Sequence, residues 1–198
     1  PLGQHSLRNE LLMLPGILLT RAAFAEARAI LVKPTQGPPL LTQDADSGFW
    51  WIWALDLYVK MTGDWTFIRS VSACLRGFLD GIFADRHSSL KLLPNLLLQQ
   101  RRVAGLVIDN PGRRPLNESL LPDGNGCFLV TNALWHHSLW ALEQWKAGES
   151  ETSSFQKYLA PLRQNIQTHF WSKALDQSLD WIDPVSLQPL DTALRPYA

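Results

Sequence analysis

The sequence predicts an all-α protein in which antiparallel helix pairs alternate with long loops. Leucine occurs 35 times, whereas valine and isoleucine together occur 15 times. This bias favours helices, because side chains that are not branched at Cβ lose less rotamer freedom in a helix. Proline and glycine gather between the apolar stretches and mark turns and loops. At 198 residues the chain has room for one substantial core, so we expect residues 1–198 to form a single domain.

The apolar pattern divides into five predicted helices. They span residues 8–31, 47–61, 65–83, 131–147 and 153–171. The first is expected to bend near Pro15-Gly16 and to stop before Pro34, because proline cannot continue the helical hydrogen-bond ladder. Thr62-Gly63-Asp64 joins the second and third helices, and so short a connection predicts an antiparallel pair. Thr131 or Asn132 is expected to cap the fourth helix.

A long loop is predicted from His87 to Phe128, where proline and glycine repeatedly interrupt the apolar pattern. Short strands around Arg102 to Ile108 are the alternative for part of this segment. Loops of this length inside a compact domain more often carry function than not. The tail from Asp176 is also expected to be turn-like.

The composition excludes several classes of function. The chain carries 18 basic and 18 acidic residues, so it lacks the charge excess of a nucleic-acid-binding protein and a polybasic patch for anionic membranes. The apolar runs Leu11–Leu19 and Leu90–Leu98 are short and contain Pro15 and Pro94, so neither is expected to span a bilayer. With no signal peptide at its start and only two cysteines, the chain is expected to be soluble and cytoplasmic, although one disulfide bridge remains an open alternative.

The motifs predict neither a metal site nor a cofactor. The adjacent pair His136-His137 lacks the three- or four-residue spacing that places two ligands on one helix face. Asp123-Gly-Asn-Gly126 lacks the lysine and hydroxyl residue of a P-loop, so a turn is the better interpretation. No Gly-x-Ser-x-Gly elbow occurs, and neither cysteine has a histidine nearby in sequence. Carboxylates therefore remain the main candidates for chemistry.

One segment combines carboxylates with tryptophans at the start of a predicted helix: Asp44-Ala-Asp-Ser-Gly-Phe-Trp-Trp-Ile-Trp-Ala-Leu-Asp56. Carboxylates accept hydrogen bonds from hydroxyls, and flat indoles stack on the apolar face of a pyranose, so the segment suits a sugar site. The alternative is a capped helix with a tryptophan-rich core. The chain contains nine tryptophans, many of them beside loop ends, and each of these equally suits sugar stacking or core filling.

Four motifs extend this interpretation over nearly the whole chain. They are Arg8-Asn-Glu-Leu-Leu-Met-Leu-Pro-Gly16 with Phe24-Ala-Glu-Ala-Arg28, Ala45-Asp-Ser-Gly-Phe-Trp-Trp51 with the later Thr62-Gly-Asp64, Thr131-Asn-Ala-Leu-Trp135, and Leu194-Arg-Pro196. In this order they resemble the catalytic domain of the glycogen-debranching amylo-α-1,6-glucosidases.

The resemblance implies an (α/α) toroid of the six-hairpin glycosidase kind, with a sugar pocket built from loops at one end of an inner ring of helices. Five helices cannot close such a ring, so the chain is expected to be an incomplete segment. In the family, the segment with the second catalytic carboxylate lies beyond the counterpart of Ala198. Either a C-terminal half or self-association is expected to complete the ring. The implied partner is an α-glucan, an oligo- or polysaccharide, and the implied cofactor is none.

The resemblance also implies a set of site residues. Asp109 is the expected general acid, because Val107 and Ile108 give it an apolar setting of the kind that raises a carboxyl pKa. The alternative is that Asp109 caps the turn that follows it. The implied substrate-binding residues are Arg8, Asp46, Trp50, Trp51, Asn132, Trp135 and Arg195.

The implied reaction is inverting hydrolysis of an α-1,6-linked glucose, with an acid and a base on opposite faces of the sugar. Two departures from the family affect it. Asn9 replaces an aspartate, and an amide cannot act as a base, while Val130 replaces a glutamate. Glu118 or Asp123 in the long loop are conjectural substitutes. The alternatives are therefore a non-catalytic carbohydrate-binding relative and a helical interaction module without a sugar site.

Overall fold

A computed structural model describes residues 7–37, 46–101, 126–145 and 155–189, and the structural statements below concern these ranges. The prediction of a mainly helical chain is confirmed. The α-helices are α1 Leu7–Leu14, α2 Phe24–Gln36, α3 Ser47–Thr62, α4 Trp65–Phe83, α5 Leu129–Trp145 and α6 Gln156–His169. A π-helical turn, Pro15–Leu19, follows α1 directly.

The first predicted helix is divided into two, and its predicted end is wrong. The backbone changes from an α-helix to a π-helical turn at Pro15. The Thr20 amide donates a hydrogen bond to the Pro15 carbonyl, five residues back, at 3.2 Å. Ala22 then adopts a positive φ of 54°, which ends the helical path before α2 begins. Pro34 lies inside the last turn of α2, where its missing N–H removes only one ladder bond, so α2 continues past it to Gln36.

The second and third predicted helices are confirmed almost to the residue. Gly63 ends α3 with a φ of 70° and donates its N–H to the Val59 carbonyl at 2.8 Å, a conformation that glycine adopts without steric cost. Asp64 then caps α4, because its Oδ1 accepts a hydrogen bond from the Phe67 amide at 3.0 Å. The two helices pack on each other as the predicted antiparallel pair.

The helices form a row of hairpins in which α3 and α5 run parallel. Asp56 on α3 contacts His137 on α5, and Lys60, one turn further along α3, lies over Trp140, one turn further along α5. The N-terminal ends of α1 and α3 also meet, through the pair Arg8–Asp46. The toroid arrangement remains a prediction, as does closure of a ring by a further segment or by self-association.

The returning helices lie antiparallel to this row. The Leu31 carbonyl on α2 accepts a hydrogen bond from the Trp51 indole, near the start of α3. Arg28, which lies earlier on α2, reaches Asp64 just beyond the end of α3, so the two helices run in opposite directions. The helix α6 packs against α5. The fifth predicted helix is therefore present, over a shorter range than predicted.

The prediction of an all-α fold is incomplete, because the described ranges also contain two small antiparallel sheets. A four-stranded sheet has the order β1-β2-β3-β6, and β4 pairs with β5. The strands are β1 Leu90–Leu92, β2 Leu98–Gln100, β3 Gly126–Phe128, β4 Trp171–Ser172, β5 Gln177–Ser178 and β6 Trp181–Ile182. The predicted loop thus contains three strands, and the predicted turn-like tail contains two. The alternative strands at 102–108 lie outside the described residues.

Aromatic side chains make up much of the core between the helices and the four-stranded sheet. The Phe49 ring on α3 contacts Phe78 on α4 at 5.3 Å and Trp135 on α5 at 6.0 Å between centroids. Trp135 in turn contacts Phe83 at 5.3 Å. This continuous aromatic contact fixes α3 between α4 and α5. No helix in the described ranges is both long and apolar enough to cross a membrane.

Gly48 provides a sharp test of this packing. A Cβ added at Gly48 would lie 2.3 Å from an atom of the Phe78 ring, whereas a Cβ at Gly77 on α4 would meet nothing within 4 Å. Gly48→Ala should therefore lower the free energy of unfolding by about 1–3 kcal/mol through overpacking. The matched Gly77→Ala should raise it by about 0.5–1 kcal/mol through helix propensity. Urea titration measures both values, and equal effects from the two substitutions would contradict the packing.

Candidate functional site

Three of the predicted site residues converge at the N-terminal end of α3. The Arg8 Nε lies 3.0 Å from Oδ1 and 2.9 Å from Oδ2 of Asp46, so one donor bridges both carboxylate oxygens. The Trp50 Nε1 donates to the same Oδ2 at 3.0 Å. The Arg8 and Asp46 side chains are 25% and 16% exposed, so the ion pair is only partly covered by protein. We refer to Arg8, Asp46 and Trp50 as the tryptophan–ion-pair site.

The backbone of Asp46 forms hydrogen bonds with the first turn of α3, whereas its side chain forms hydrogen bonds within the tryptophan–ion-pair site. Asp46 precedes α3, and its carbonyl accepts from the Phe49 and Trp50 amides at 3.0 Å each. An aspartate at this position ordinarily accepts a hydrogen bond from a first-turn amide through its side chain, a bond worth about 1 kcal/mol. The Asp46 side chain makes no such bond. Its two oxygens go instead to Arg8 and Trp50.

The Trp50 ring is held by two contacts. Its N–H is bound to Asp46, and its ring contacts Trp53 in an edge-to-face arrangement at 5.4 Å and 87°. Both rings are half-buried. The partly open indole suits stacking against the apolar face of a sugar, and the guanidinium beside it suits hydrogen bonds to hydroxyl oxygens.

Three other predicted sugar contacts lie inside the protein. Trp51 is fully buried and donates its indole N–H to the Leu31 carbonyl at 2.8 Å. Trp135 is 1% exposed and donates to the Leu96 carbonyl at 3.2 Å. Asn132 has no exposed surface either. None of these three side chains, which were predicted to contact a sugar, has an accessible ring face or amide in the structure.

Asn132 joins α5 to the sheet, and the prediction that it caps this helix is wrong. Its amide oxygen accepts from the Leu98 amide at 2.7 Å, and its nitrogen donates to the carbonyls of Leu98 at 3.1 Å and Phe128 at 2.9 Å. The helix begins at Leu129, three residues earlier than Asn132, because β3 runs directly into it. Asn132 is therefore a structural residue that connects the first turn of α5 to β2.

The remaining predicted site residues lie outside the described residues. These are the expected general acid Asp109, the substrate-binding Arg195, and the conjectural substitutes Glu118 and Asp123. Their roles remain predictions.

A second polar cluster, which the sequence analysis missed, lies between α3 and α5. The Asp56 side chain is 4% exposed, and its Oδ2 lies 2.6 Å from the Lys60 Nζ and 3.4 Å from the His137 Nε2. The Lys60 Nζ also lies 5.0 Å from the centroid of the Trp140 ring. Burial lowers the pKa of His137 and outweighs the opposite influence of Asp56. The four-residue spacing of Asp56 and Lys60 in the sequence indicates that the two side chains meet on one helix face. The contact with His137 could not be predicted in this way, because it depends on how α3 and α5 pack.

The cysteines are both free thiols. Burial raises the pKa of Cys74, and burial together with the Asp183 charge raises the pKa of Cys127 to about 12. Both thiols are therefore poor nucleophiles at neutral pH. Among the described residues, no three histidine, cysteine, aspartate or glutamate side chains gather as a metal site requires.

A family model described as amylo-alpha-1,6-glucosidase matches residues 7–198. The match covers nearly the whole chain and places it in the class of glycosidase-related domains of glycogen debranching. The chain belongs to the amylo-alpha-1,6-glucosidase family, as its motifs predicted. No curated protein and no solved structure matches it.

A buried histidine beside the sheet gives the protein a specific sensitivity to acid. His87 is 2% exposed, and its Nδ1 accepts from the Ser89 amide at 3.2 Å, which places the ring proton on Nε2. Within the described residues this Nε2 has no hydrogen-bond partner. Burial, reinforced by the Arg101 charge, lowers the pKa of His87 from 6.5 to about 4.

Protonation of His87 should therefore favour the unfolded chain. The unfolded chain takes up this proton near pH 6.5 and the folded chain only near pH 4, so the contribution of His87 to stability is complete above pH 6.5 and falls between these values. The free energy of unfolding falls by about 3 kcal/mol as the pH approaches 4. In urea titrations at several pH values, it should fall more steeply with decreasing pH for the wild type than for His87→Gln, because the glutamine side chain does not titrate. Parallel pH profiles would contradict this assignment.

Proposed function

We propose that the protein is a glycoside hydrolase of the glycogen-debranching type, which removes α-1,6-linked glucose by inverting acid/base hydrolysis. Membership of the amylo-alpha-1,6-glucosidase family supports the reaction class. The observation that carries the proposal for this chain is the tryptophan–ion-pair site, where an aromatic ring, a guanidinium and a carboxylate meet within hydrogen-bond distance. These are the groups from which proteins build sugar-binding sites.

In this proposal the described residues bind the sugar and do not themselves transfer protons. Arg8, Asp46 and Trp50 together hold the sugar, with Trp50 stacked against its ring. Asp109 donates a proton to the leaving oxygen, because its apolar neighbours in sequence favour a protonated carboxyl group. A second carboxylate activates water on the opposite face, across roughly 6.5–9.5 Å.

The position of the site on the fold supports this assignment. The helices α3 and α5 begin at the same end of the row, and the tryptophan–ion-pair site lies at the beginning of α3. First-turn N–H groups of a helix carry a partial positive charge. Such an end places hydrogen-bond donors near the tryptophan–ion-pair site, and sugar hydroxyls can accept from donors of this kind.

A non-catalytic carbohydrate-binding relative is the second candidate, and two positions favour it. Asn9 and Val130 stand where the resemblance leads us to expect carboxylates, and Val130 is 43% exposed in the first turn of α5. A valine there offers a sugar neither a hydrogen bond nor a base. A helical interaction module, the third candidate, is less consistent with the convergence of Asp46 and Trp50.

Release of free glucose from a branched limit dextrin tests the catalytic proposal. This chain and the longest natural version of it should be compared, each with its Asp109→Asn variant. We expect the active form to lose hydrolysis by about 100-fold or more on this substitution, because the amide cannot donate the proton, while dextrin binding is retained. Full activity of Asp109→Asn would refute the assigned acid. Binding without hydrolysis in every form would favour the second candidate.

Trp50 and Trp65 form a matched pair for testing the sugar site. Trp65 is 45% exposed at the start of α4, beyond the opposite end of α3. Trp50→Ala should raise the Kd for a branched maltotetraose that carries one α-1,6-linked glucose by about tenfold, because stacking is lost. Trp65→Ala should leave the Kd unchanged. Calorimetry measures both, and equal losses would place the sugar elsewhere.

A further inference from the structure

We propose that Asp46 is a positioning residue that fixes the Trp50 indole for the sugar, and that it takes no part in proton transfer. The inference rests on the proposed function, since it assigns roles within the same site. It also specifies how Asp46 helps to hold the sugar: by supporting the stacking ring.

The first argument is that the Asp46 carboxylate is already engaged. The Arg8 Nε bridges both of its oxygens at 2.9 and 3.0 Å, and the Trp50 Nε1 binds Oδ2 at 3.0 Å. The side chain is only 16% exposed, so little of it faces a ligand. The carboxylate therefore already accepts hydrogen bonds from two donors of the protein, one of them charged.

The second argument is that Asp46 gives up a favourable local contact to reach Trp50. It precedes α3 in the position where an aspartate side chain normally caps the helix, yet it makes no capping bond. Departures of this kind from a local preference concentrate at functional sites. The side chain instead contacts a guanidinium and the polar edge of an aromatic ring. These contacts indicate that its role is to hold the ring.

The third argument is the restraint on the ring itself. Asp46 holds the N–H edge of Trp50, and Trp53 packs edge-to-face against the ring at 5.4 Å. A ring that is oriented before the ligand arrives loses less entropy on binding. Asp46 therefore contributes to affinity through the indole, and Arg8 provides the charge that keeps Asp46 in place.

Asp46→Asn and Asp46→Leu separate positioning from chemistry. Asparagine keeps an oxygen that accepts the indole proton, whereas leucine, of similar size, does not. We expect Asp46→Leu to raise the Kd for the same branched maltotetraose about tenfold and Asp46→Asn to raise it less than threefold. The Trp50 indole N–H signal in nitrogen-15 NMR spectra, identified by its loss in Trp50→Phe, should move in Asp46→Leu and stay nearly unchanged in Asp46→Asn.

A double-mutant cycle keeps the test decisive if Asp46→Leu lowers stability. In a Trp50→Phe background there is no indole proton to hold, so Asp46→Leu should add less than a twofold loss of affinity. Equal losses in both backgrounds would overturn the proposal. So would loss of glucose release by about 100-fold in Asp46→Asn with an unchanged indole signal, since this would make the carboxylate itself catalytic.

The same measurements distinguish failure of the sugar site from failure of this inference. If Trp50→Ala binds the branched maltotetraose as tightly as the wild type, the proposed sugar site is wrong, whatever the indole signal shows. If Trp50→Ala loses affinity while Asp46→Leu does not, the site stands and the positioning role is refuted.

Discussion

Burial of α3 is the constraint on which the rest of the described structure depends. This helix packs against α1, α2, α4 and α5, so almost every side chain along it must fit a neighbour. Gly48 admits the Phe78 ring, and Trp51 places its N–H on a carbonyl of α2. A polar group on this helix without such a partner would cost about 1–3 kcal/mol. Asp56 accordingly lies against Lys60.

One narrow stripe of α3 escapes this burial, and the candidate site lies at its beginning. Up to Lys60, the half-buried or exposed positions are Asp46, Trp50, Trp53, Leu57 and Lys60, spaced alternately by four and three residues. That spacing keeps them on one face of a helix. The tryptophan–ion-pair site lies on this stripe at the N-terminal end of α3, while neighbouring positions of the same helix are buried.

The sequence predicted those features that depend on local signals or on the family resemblance. The ends of α3 and α4 follow from Gly63 and Asp64, whose conformational and capping preferences act within a few residues. The convergence of Arg8 and Asp46, 38 residues apart, was implied by the resemblance alone. The four-stranded sheet was missed, because its strands are three residues or fewer and two of its three pairings join segments distant in sequence. The burial of Asn132 and Trp135 was missed for a related reason: the direction in which α5 turns its polar and aromatic side chains is decided by what packs around it.

The absence of a linker between β3 and α5 has a mechanical consequence. The strand ends at Phe128, the helix begins at Leu129, and Asn132 ties the first turn of α5 back to Leu98 on β2. Strand and helix are therefore joined without an intervening loop, and the Asn132 side chain links both to β2. Any displacement of the sheet would consequently move the first turn of α5, and with it the exposed Val130.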